Sequence, residues 1–531
     1  MEILIKFSIN YLNYTSYFRP HTSDIIPHTS YLRLHTSDNP TMLLLGIDLG
    51  TSSIKVSVID SATQRCLCTV QYPDTETIII AEQAGWAEQS PDLWWENVQQ
   101  AILKAHALKV YDPADIGAIG IAYQMHGLVL VDKQQKVLRN SIIWCDSRAV
   151  EIGNNAFKAI GEEKCLSDLL NSPGNFTASK LAWVKQNEPD LFQKIDKVML
   201  PGDFISMKLT GEISTSISAL SEGIFWDFKK EELSKDVFGY YGFETAIIPN
   251  ILPVFSEHGK LDQAIAAKLS FHPGTVVTYK SGDQPNNALS LNVLKPGEVA
   301  ANGGTSGVIY GVSDKLTHDK QSRINTFAHV NYTLQQKRLG VLLCINGTGI
   351  LNRWVKDVVA SGINYDTMNA EAAKIPVGSQ GLRILPFGNG AERMLNNRNI
   401  GAHFHHIDFN LHSRPHIFRA VQEGIAFAFR YGLDIMRGNG MNPSLIRAGQ
   451  ANMFSSELFI QAFVNSCGVP LELHSNEGSI GAAIGAGIGK GEFTTENAFS
   501  NVRALKVVEP KKDSEYETVY QEWKGLLERH L

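Results

Sequence analysis

Two short segments, half a chain apart, carry the same three residues between apolar flanks. Met42-Leu-Leu-Leu-Gly-Ile-Asp48 reads as a buried strand, Gly50-Thr-Ser-Ser53 as a turn, and Ile54-Lys-Val-Ser-Val-Ile59 as the returning strand. Asn302-Gly-Gly-Thr-Ser-Gly307, followed by Val308-Ile-Tyr-Gly-Val312, echoes that hairpin. Thr51 and Thr305 stand 254 positions apart, close to half of the 490 residues from Met42 onward. A supersecondary unit repeated at that spacing predicts a duplicated α/β domain with a cleft between the copies. The turn-rich Lys295-Pro-Gly297 is the expected boundary, which gives domains at 42–294 and 295–531.

The turns also suggest a chemistry. The backbone amides of Gly50, Thr51 and Ser52 can converge on one point and form a nest for phosphate oxygens. Gly304, Thr305 and Ser306 would supply a matching nest from the other half. Asp48, at the end of the first strand, faces the same place, and a carboxylate beside a polyphosphate suits Mg²⁺. One such turn alone reads as an ordinary hairpin; two at half-chain spacing favour phosphate. Other nucleotide motifs fail. Gly489-Lys490 is followed by Gly491 and makes no Walker A loop, and no Gly-x-Gly-x-x-Gly opens a helix after a strand.

Composition narrows the partners. With 44% hydrophobic and 19% charged residues the chain is a folded globular protein. Its 48 Lys+Arg against 54 Asp+Glu leave no basic excess for nucleic acid. Six cysteines without a Cys-x-x-Cys pair support neither a zinc ribbon nor a disulfide framework, and they read as reduced, mostly buried thiols of a cytoplasmic protein. No apolar run approaches a membrane span, and Ile480–Gly489 is too short and glycine-rich for one. Helical periodicity is clear after Ser90-Pro91, where Trp94, Val98, Ala101, Ile102 and Ala105 share a face. It returns in Ile417–Met436, in Ser455–Cys467 and in the amphipathic Tyr516–Leu527, which is expected to dock on the surface. Gly117–Ala122 reads as a further buried strand.

Residues 1–41 differ from the rest. His-Thr-Ser recurs at 21–23, 28–30 and 35–37, a strict period of seven that is no apolar heptad and no signal peptide. The segment reads as disordered low complexity, a translated tandem repeat ahead of a start at Met42, and His21, His28 and His35 as metal ligands are the weaker reading.

Asp48-Leu-Gly-Thr-Ser52, paired with Gly303-Gly-Thr-Ser306, resembles the superfamily of sugar kinases, actin and heat-shock chaperone ATPases. Further segments narrow the resemblance to the FGGY carbohydrate kinases and, within them, to the xylulokinase branch. They are Gly85-Trp-Ala-Glu-Gln-Ser-Pro-Asp-Leu-Trp-Trp95, Gln124-Met-His-Gly127, Ile143-Trp-Cys-Asp-Ser-Arg148, Phe176-Thr-Ala-Ser-Lys-Leu-Ala-Trp-Val184 and Asp196–Pro201 with Leu209-Thr-Gly-Glu212. The Met-His pair is specific to that branch. The resemblance implies two ribonuclease H-like α/β domains and ATP-dependent, Mg²⁺-assisted phosphorylation of a ketopentose such as D-xylulose in the cleft. It places the catalytic base on Asp283 in Ser281-Gly-Asp-Gln-Pro-Asn-Asn287, the sugar contacts on Met125, His126 and Gln284, and adenosine contacts on Gly449 and Asn452. Taken by itself, Asp283 reads as a helix cap and Asp146 as a partner of Arg148 or of a backbone turn. The chain departs from the family at Ala448-Gly-Gln-Ala-Asn452, which has lost two glycines, at His406, at Ser281-Gly282 and over Gly388–Arg393. Small sugar and MgATP are the implied partners, with a homodimer admitted. Rival readings are a kinase for ribulose or another ketose or polyol, a sugar-binding regulator without turnover, and a chaperone ATPase.

Overall fold

The computed structural model describes residues 42–512 and 515–531, so the expectations for residues 1–41 lie outside the described residues. The apolar run Leu43–Leu49 forms β1, and Ile54–Asp60 forms β2 antiparallel to it, with Leu49 opposite Ile54 across the Gly-Thr-Ser turn. β3 (Cys66–Tyr72) continues the meander. Ser90 caps α1 (Pro91–Ala107) by accepting from Leu93 N–H at 3.3 Å, and Pro91 occupies the first turn, where no donor is needed. β4 (Ile116–Tyr123) returns parallel to β1. α2 (Thr177–Asn187), β5 (Phe255–Lys260), β6 (Val276–Gly282) and α3 (Asp283–Ser290) follow.

The second half repeats the plan. β7 (Glu298–Gly303) and β8 (Gly307–Ser313) flank the second Gly-Thr-Ser turn, followed by β9 (Asn325–Ala328) and β10 (Leu339–Ile345). α4 (Gly349–Val359), α5 (Tyr365–Ala372), the antiparallel pair β11 (Arg383–Phe387) and β12 (Gly401–His405), and α6 (Arg414–Gly438) come next. The chain ends with β13 (Leu445–Gly449), α7 (Glu457–Cys467), β14 (Leu471–His474), α8 (Gly478–Lys490), β15 (Lys506–Val508) and α9 (Tyr516–Glu528).

The strand orders carry the duplication. The first sheet runs β5-β6-β4-β1-β2-β3 and the second β9-β10-β8-β7-β13-β14-β15. In each, the opening strand is antiparallel to the next strand and parallel to the one brought beside it by a crossover. A further parallel strand and an antiparallel edge follow in both. This is the duplication expected from the paired turns, and the ribonuclease H-like plan that the resemblance implied.

Strand alternation decides what each face meets. On β1, Leu43, Leu45, Ile47 and Leu49 join the core that contains Trp94, Val98 and Ile102 of α1. Leu44, Gly46 and Asp48 point to the other face, which α8 covers. The contact there is backbone on backbone: a Cβ on Gly46 would lie 1.8 Å from the Ser479 carbonyl oxygen. The small-residue run Ile480–Gly489 is thus a helix pressed onto the first sheet, although it belongs to the second half in sequence. On the second sheet, Val299, Ala301 and Ile309 pack with Phe429 and Leu433 of α6. Ala300, Tyr310 and Val312 face a core shared with Leu128, Phe176 and Phe225 of the first half.

Two expectations are corrected. α9 is embedded, not merely docked: Trp523 is fully buried and its Nε1 donates to the Ile384 carbonyl at 2.8 Å. Only Cys165 and Cys467 are buried, while Cys145 and Cys344 are exposed; all six cysteines are free. No helix among the described residues is long and apolar enough to cross a membrane.

Candidate active site

β1 ends at Leu49, so Asp48 sits at the last turn of alternation toward α8, with its carboxylate against Gly478, the first residue of that helix. Lys55 and Glu477 pair beside it at 3.1 Å. Burial, then the Glu477 charge, push the Asp48 carboxyl up to about 6, against the pull of Lys55. β6 ends at Gly282, and Asp283 opens α3. Burial and then the Asp48 charge push Asp283 up to about 7, while hydrogen bonds from Gln284 work the other way. The two carboxylates therefore share one field. The Gln284 side-chain oxygen is buried without a partner.

A relay of hydrogen bonds fixes the first Gly-Thr-Ser turn. Trp94 Nε1 and Gln124 Nε2 each donate to Gln89 Oε1 at 3.0 Å, and Gln89 Nε2 donates to the Thr51 carbonyl at 2.8 Å. The Thr51 hydroxyl donates to Gln124 at 3.2 Å and accepts from Trp144 Nε1 at 3.0 Å. The hydroxyl is thereby committed, whereas the N–H groups of Thr51 and Ser52 find no partner among the described residues. Gly50 N–H closes the turn onto the Ser53 carbonyl at 3.1 Å. In the second turn, Gly349 and Ile350 N–H at the start of α4 hold the carbonyls of Gly304 and Thr305 at 3.0 and 3.1 Å. The N–H groups of Thr305 and Ser306 are again unpartnered among the described residues. Gly304, Thr305 and Asn452 line a cavity of about 420 Å³ with Arg353, Tyr365 and Asn369. Gly449 does not line it; a Cβ there would meet Asn476 at 3.2 Å.

The Met125–His126 turn packs against Gly282, the residue before Asp283. A Cβ on Gly282 would be 2.7 Å from Met125 Cγ and 2.9 Å from Glu222 Oε2. His126 takes the left-handed conformation with φ 63° and is clamped at both peptide groups. Its N–H donates to Glu222 Oε1 at 2.6 Å, and its carbonyl accepts from Lys180 Nζ at 2.8 Å. Burial holds Lys180 down to about 7 and Glu222 well above the carboxylate range. Burial, Lys180 and Arg393 hold the His126 ring well below its ordinary pKa, so it is neutral at pH 7. The ring sits edge-on to Phe176 at 4.8 Å and near Phe327 of β9 at 5.6 Å, so both halves of the chain frame it. Its Nδ1 is buried and makes no hydrogen bond with the described residues. Arg393 reaches the same place: it donates to Asn325 at 2.6 Å and lies over the Phe176 ring at 6.0 Å. The preceding Glu392 accepts from Asn346 and Gly347 N–H, both at 3.0 Å. Asp146 holds both of its sequence-stated alternatives, accepting from Arg148 and from Ala87 N–H at 2.6 Å.

Glu222, Lys180, Phe327, Arg393, Tyr365 and Asn369 were not singled out as site residues by sequence reasoning. Lys180 lies inside a segment that carries the family resemblance, which is a usable signal. Arg393 closes the divergent stretch Gly388–Arg393; the others look like helix faces, strand interiors or loops, and only long-range packing gathers them. His126→Ala is expected to raise the sugar KM about tenfold, because an unpaired hydroxyl costs about 1–3 kcal/mol. The KM for ATP should stay within a factor of two in the same steady-state assay. Equal effects on both would mark a structural histidine.

The residues present fit MgATP. Two desolvated carboxylates of like charge gain from a divalent cation, and four unpartnered amide donors point to phosphate oxygens. Residues 43–290 match the model of the N-terminal domain of the FGGY family of carbohydrate kinases, and residues 299–489 match that of the C-terminal domain. Xylulose kinase of Haemophilus influenzae is 30% identical over 465 residues, 86% of this chain and 92% of that protein. The crystal structure of xylulose kinase from Rhodospirillum rubrum superposes with a TM-score of 0.82 at 24% identity, covering 92% of this chain and 98% of that one. A gluconate kinase from Lactobacillus acidophilus gives the same TM-score at 20% identity and the same coverage. The chain belongs to the FGGY family of carbohydrate kinases, enzymes that transfer the γ-phosphoryl group of MgATP to a sugar hydroxyl.

Proposed function

We propose that this carbohydrate kinase phosphorylates a ketopentose, D-xylulose to D-xylulose 5-phosphate, in the cytoplasm. The observation that carries the reading is the Met125–His126 turn, clamped by Glu222 and Lys180 and packed against the residue before Asp283. It sets a neutral imidazole and the unpaired oxygen of Gln284 around the residue best suited to take a proton.

Asp283 accepts the proton of the sugar hydroxyl as that oxygen attacks the γ-phosphorus. A carboxyl held near 7 is poised for this at neutral pH, since a base works best when its pKa lies near the operating pH. Met125 and His126 orient the sugar, and Gln284 accepts from a second hydroxyl. The amides of Thr51, Ser52, Thr305 and Ser306 bind the phosphates, and Asn452 bounds the adenosine cavity. Asp48 would hold Mg²⁺, which when bound neutralises charge on the β- and γ-phosphate oxygens.

Likeness to a gluconate kinase keeps other acceptors in view. An ADP-release screen over D-xylulose, D-ribulose, other ketoses, gluconate, glycerol and pentitols tests the proposal. The highest kcat/KM should fall on D-xylulose. A higher value on gluconate or a polyol would replace the substrate, and no sugar-dependent ADP release at all would favour a binding protein.

A further inference from the structure

Three histidines that do not line the cavity of the second Gly-Thr-Ser turn meet one another. His403 and His405 lie two apart on β12, so strand alternation sends both rings to one side of the β11–β12 hairpin. α9 packs on this hairpin through Trp523, and just past its end the chain brings His530 onto the same spot. The His403 and His530 rings stack with centroids 4.0 Å apart, and the His405 and His530 rings lie at 5.3 Å. One ring nitrogen from each of the three lies within 4.8 Å of the other two.

The spacing between two of them is that of metal ligands. His405 Nε2 and His530 Nε2 face one another at 3.3 Å. With Zn–N bonds of about 2.0–2.1 Å, two nitrogens of a tetrahedral site lie roughly 3.3–3.4 Å apart. A His403 ring nitrogen lies within 4.8 Å of both, so a shift of that ring completes the face. His403 Nε2 also contacts the Ile400 carbonyl at 2.6 Å, the kind of outer contact that orients a ligating imidazole. No carboxylate pairs with any of the three rings among the described residues. Three imidazoles with no carboxylate select Zn²⁺ and its imidazole-binding neighbours over Mg²⁺ or Ca²⁺.

We propose that His403, His405 and His530 form a structural site for a tetrahedral divalent metal of the Zn²⁺ class, with water in the fourth position. The metal joins residues 125 positions apart and clips the C-terminal helix to the β11–β12 hairpin. Its binding energy is then folding energy for that part of the second core.

The test uses the full chain, produced without an affinity tag and stripped with a chelator. Zn²⁺ is titrated by calorimetry in several millimolar Mg²⁺, so that oxygen-ligand sites are already filled. Co²⁺ is titrated in parallel for the intense visible band of four-coordinate geometry. The expected result is a Zn²⁺ site that raises Tm and gives the four-coordinate Co²⁺ spectrum. His405→Gln and His530→Gln should each weaken it at least tenfold and abolish the Zn²⁺-dependent rise in Tm. Both variants should keep the parent's Tm in chelator, which separates lost ligation from lost folding. Absence of Zn²⁺ binding by the parent below 100 µM, taken as about the weakest useful affinity, would overturn the proposal. Unchanged affinity in both variants would do the same and move any zinc elsewhere, the His-Thr-Ser repeat included.

Discussion

Asp283→Asn is expected to lower kcat on the best sugar about 10²–10⁴-fold, the typical loss when a general base is removed. The amide keeps the size of the side chain and can still meet hydroxyls, so sugar binding measured by calorimetry should change little. Stability supplies an independent check. The folded state holds the Asp283 proton up to about 7, whereas an unfolded aspartate releases it near 4. Between those values the native chain binds more protons than the unfolded one, so this group's contribution to stability falls as pH rises through that window. Above 7 the desolvated charge is fully in place. Asparagine removes it, so the variant should melt above the parent at pH 8, with the difference fading toward pH 4. Near-normal turnover in the variant would remove Asp283 from the base role, whatever its melting behaviour.

Asp48→Asn should act through the metal. Charge neutralisation by a bound cation supplies several kcal/mol in transfer reactions. At 1.36 kcal/mol per decade, its loss predicts a fall in turnover of about 10²–10³-fold. The Mg²⁺ concentration for half-maximal rate should rise at least tenfold, while the sugar KM moves by no more than about twofold. The coupling to Asp283 adds a signature. With the Asp48 charge gone, the second-largest cause raising Asp283 disappears, so the acid limb of the rate profile should move to lower pH. A collapse of sugar affinity with unchanged Mg²⁺ dependence would show that Asp48 belongs to the sugar pocket instead.

How much of this was legible in the sequence depends on the range of the interaction. The strand–Gly-Thr-Ser–strand units, the Ser90-Pro91 start of α1 and the long α6 were readable because each rests on chemistry within a few residues. Turn amides, a capping hydroxyl and a repeating apolar stripe declare themselves locally. The half-chain spacing of the two turns, joined to the family resemblance, was enough for the duplicated plan.

The remainder needed the tertiary structure. Glycine-rich α8 gave no amphipathic signal, because its small residues serve a close backbone contact with β1 rather than an apolar stripe. Glu222 and Lys180 stand 96 and 54 positions from His126, yet they hold its two peptide groups. Phe327 and Arg393 come from the other half of the chain to frame the same ring. α9 read as a surface helix because its stripe is narrow, and only β11 beneath it shows that Trp523 is core. Sequence by itself determined the elements and the paired turns, since hydrogen bonds and side-chain periodicity along a chain are set by near neighbours. The shared field of the two carboxylates, the clamp on His126 and the meeting of His403, His405 and His530 were decided by packing, because burial and Coulomb coupling depend on distance in space and not on distance along the chain.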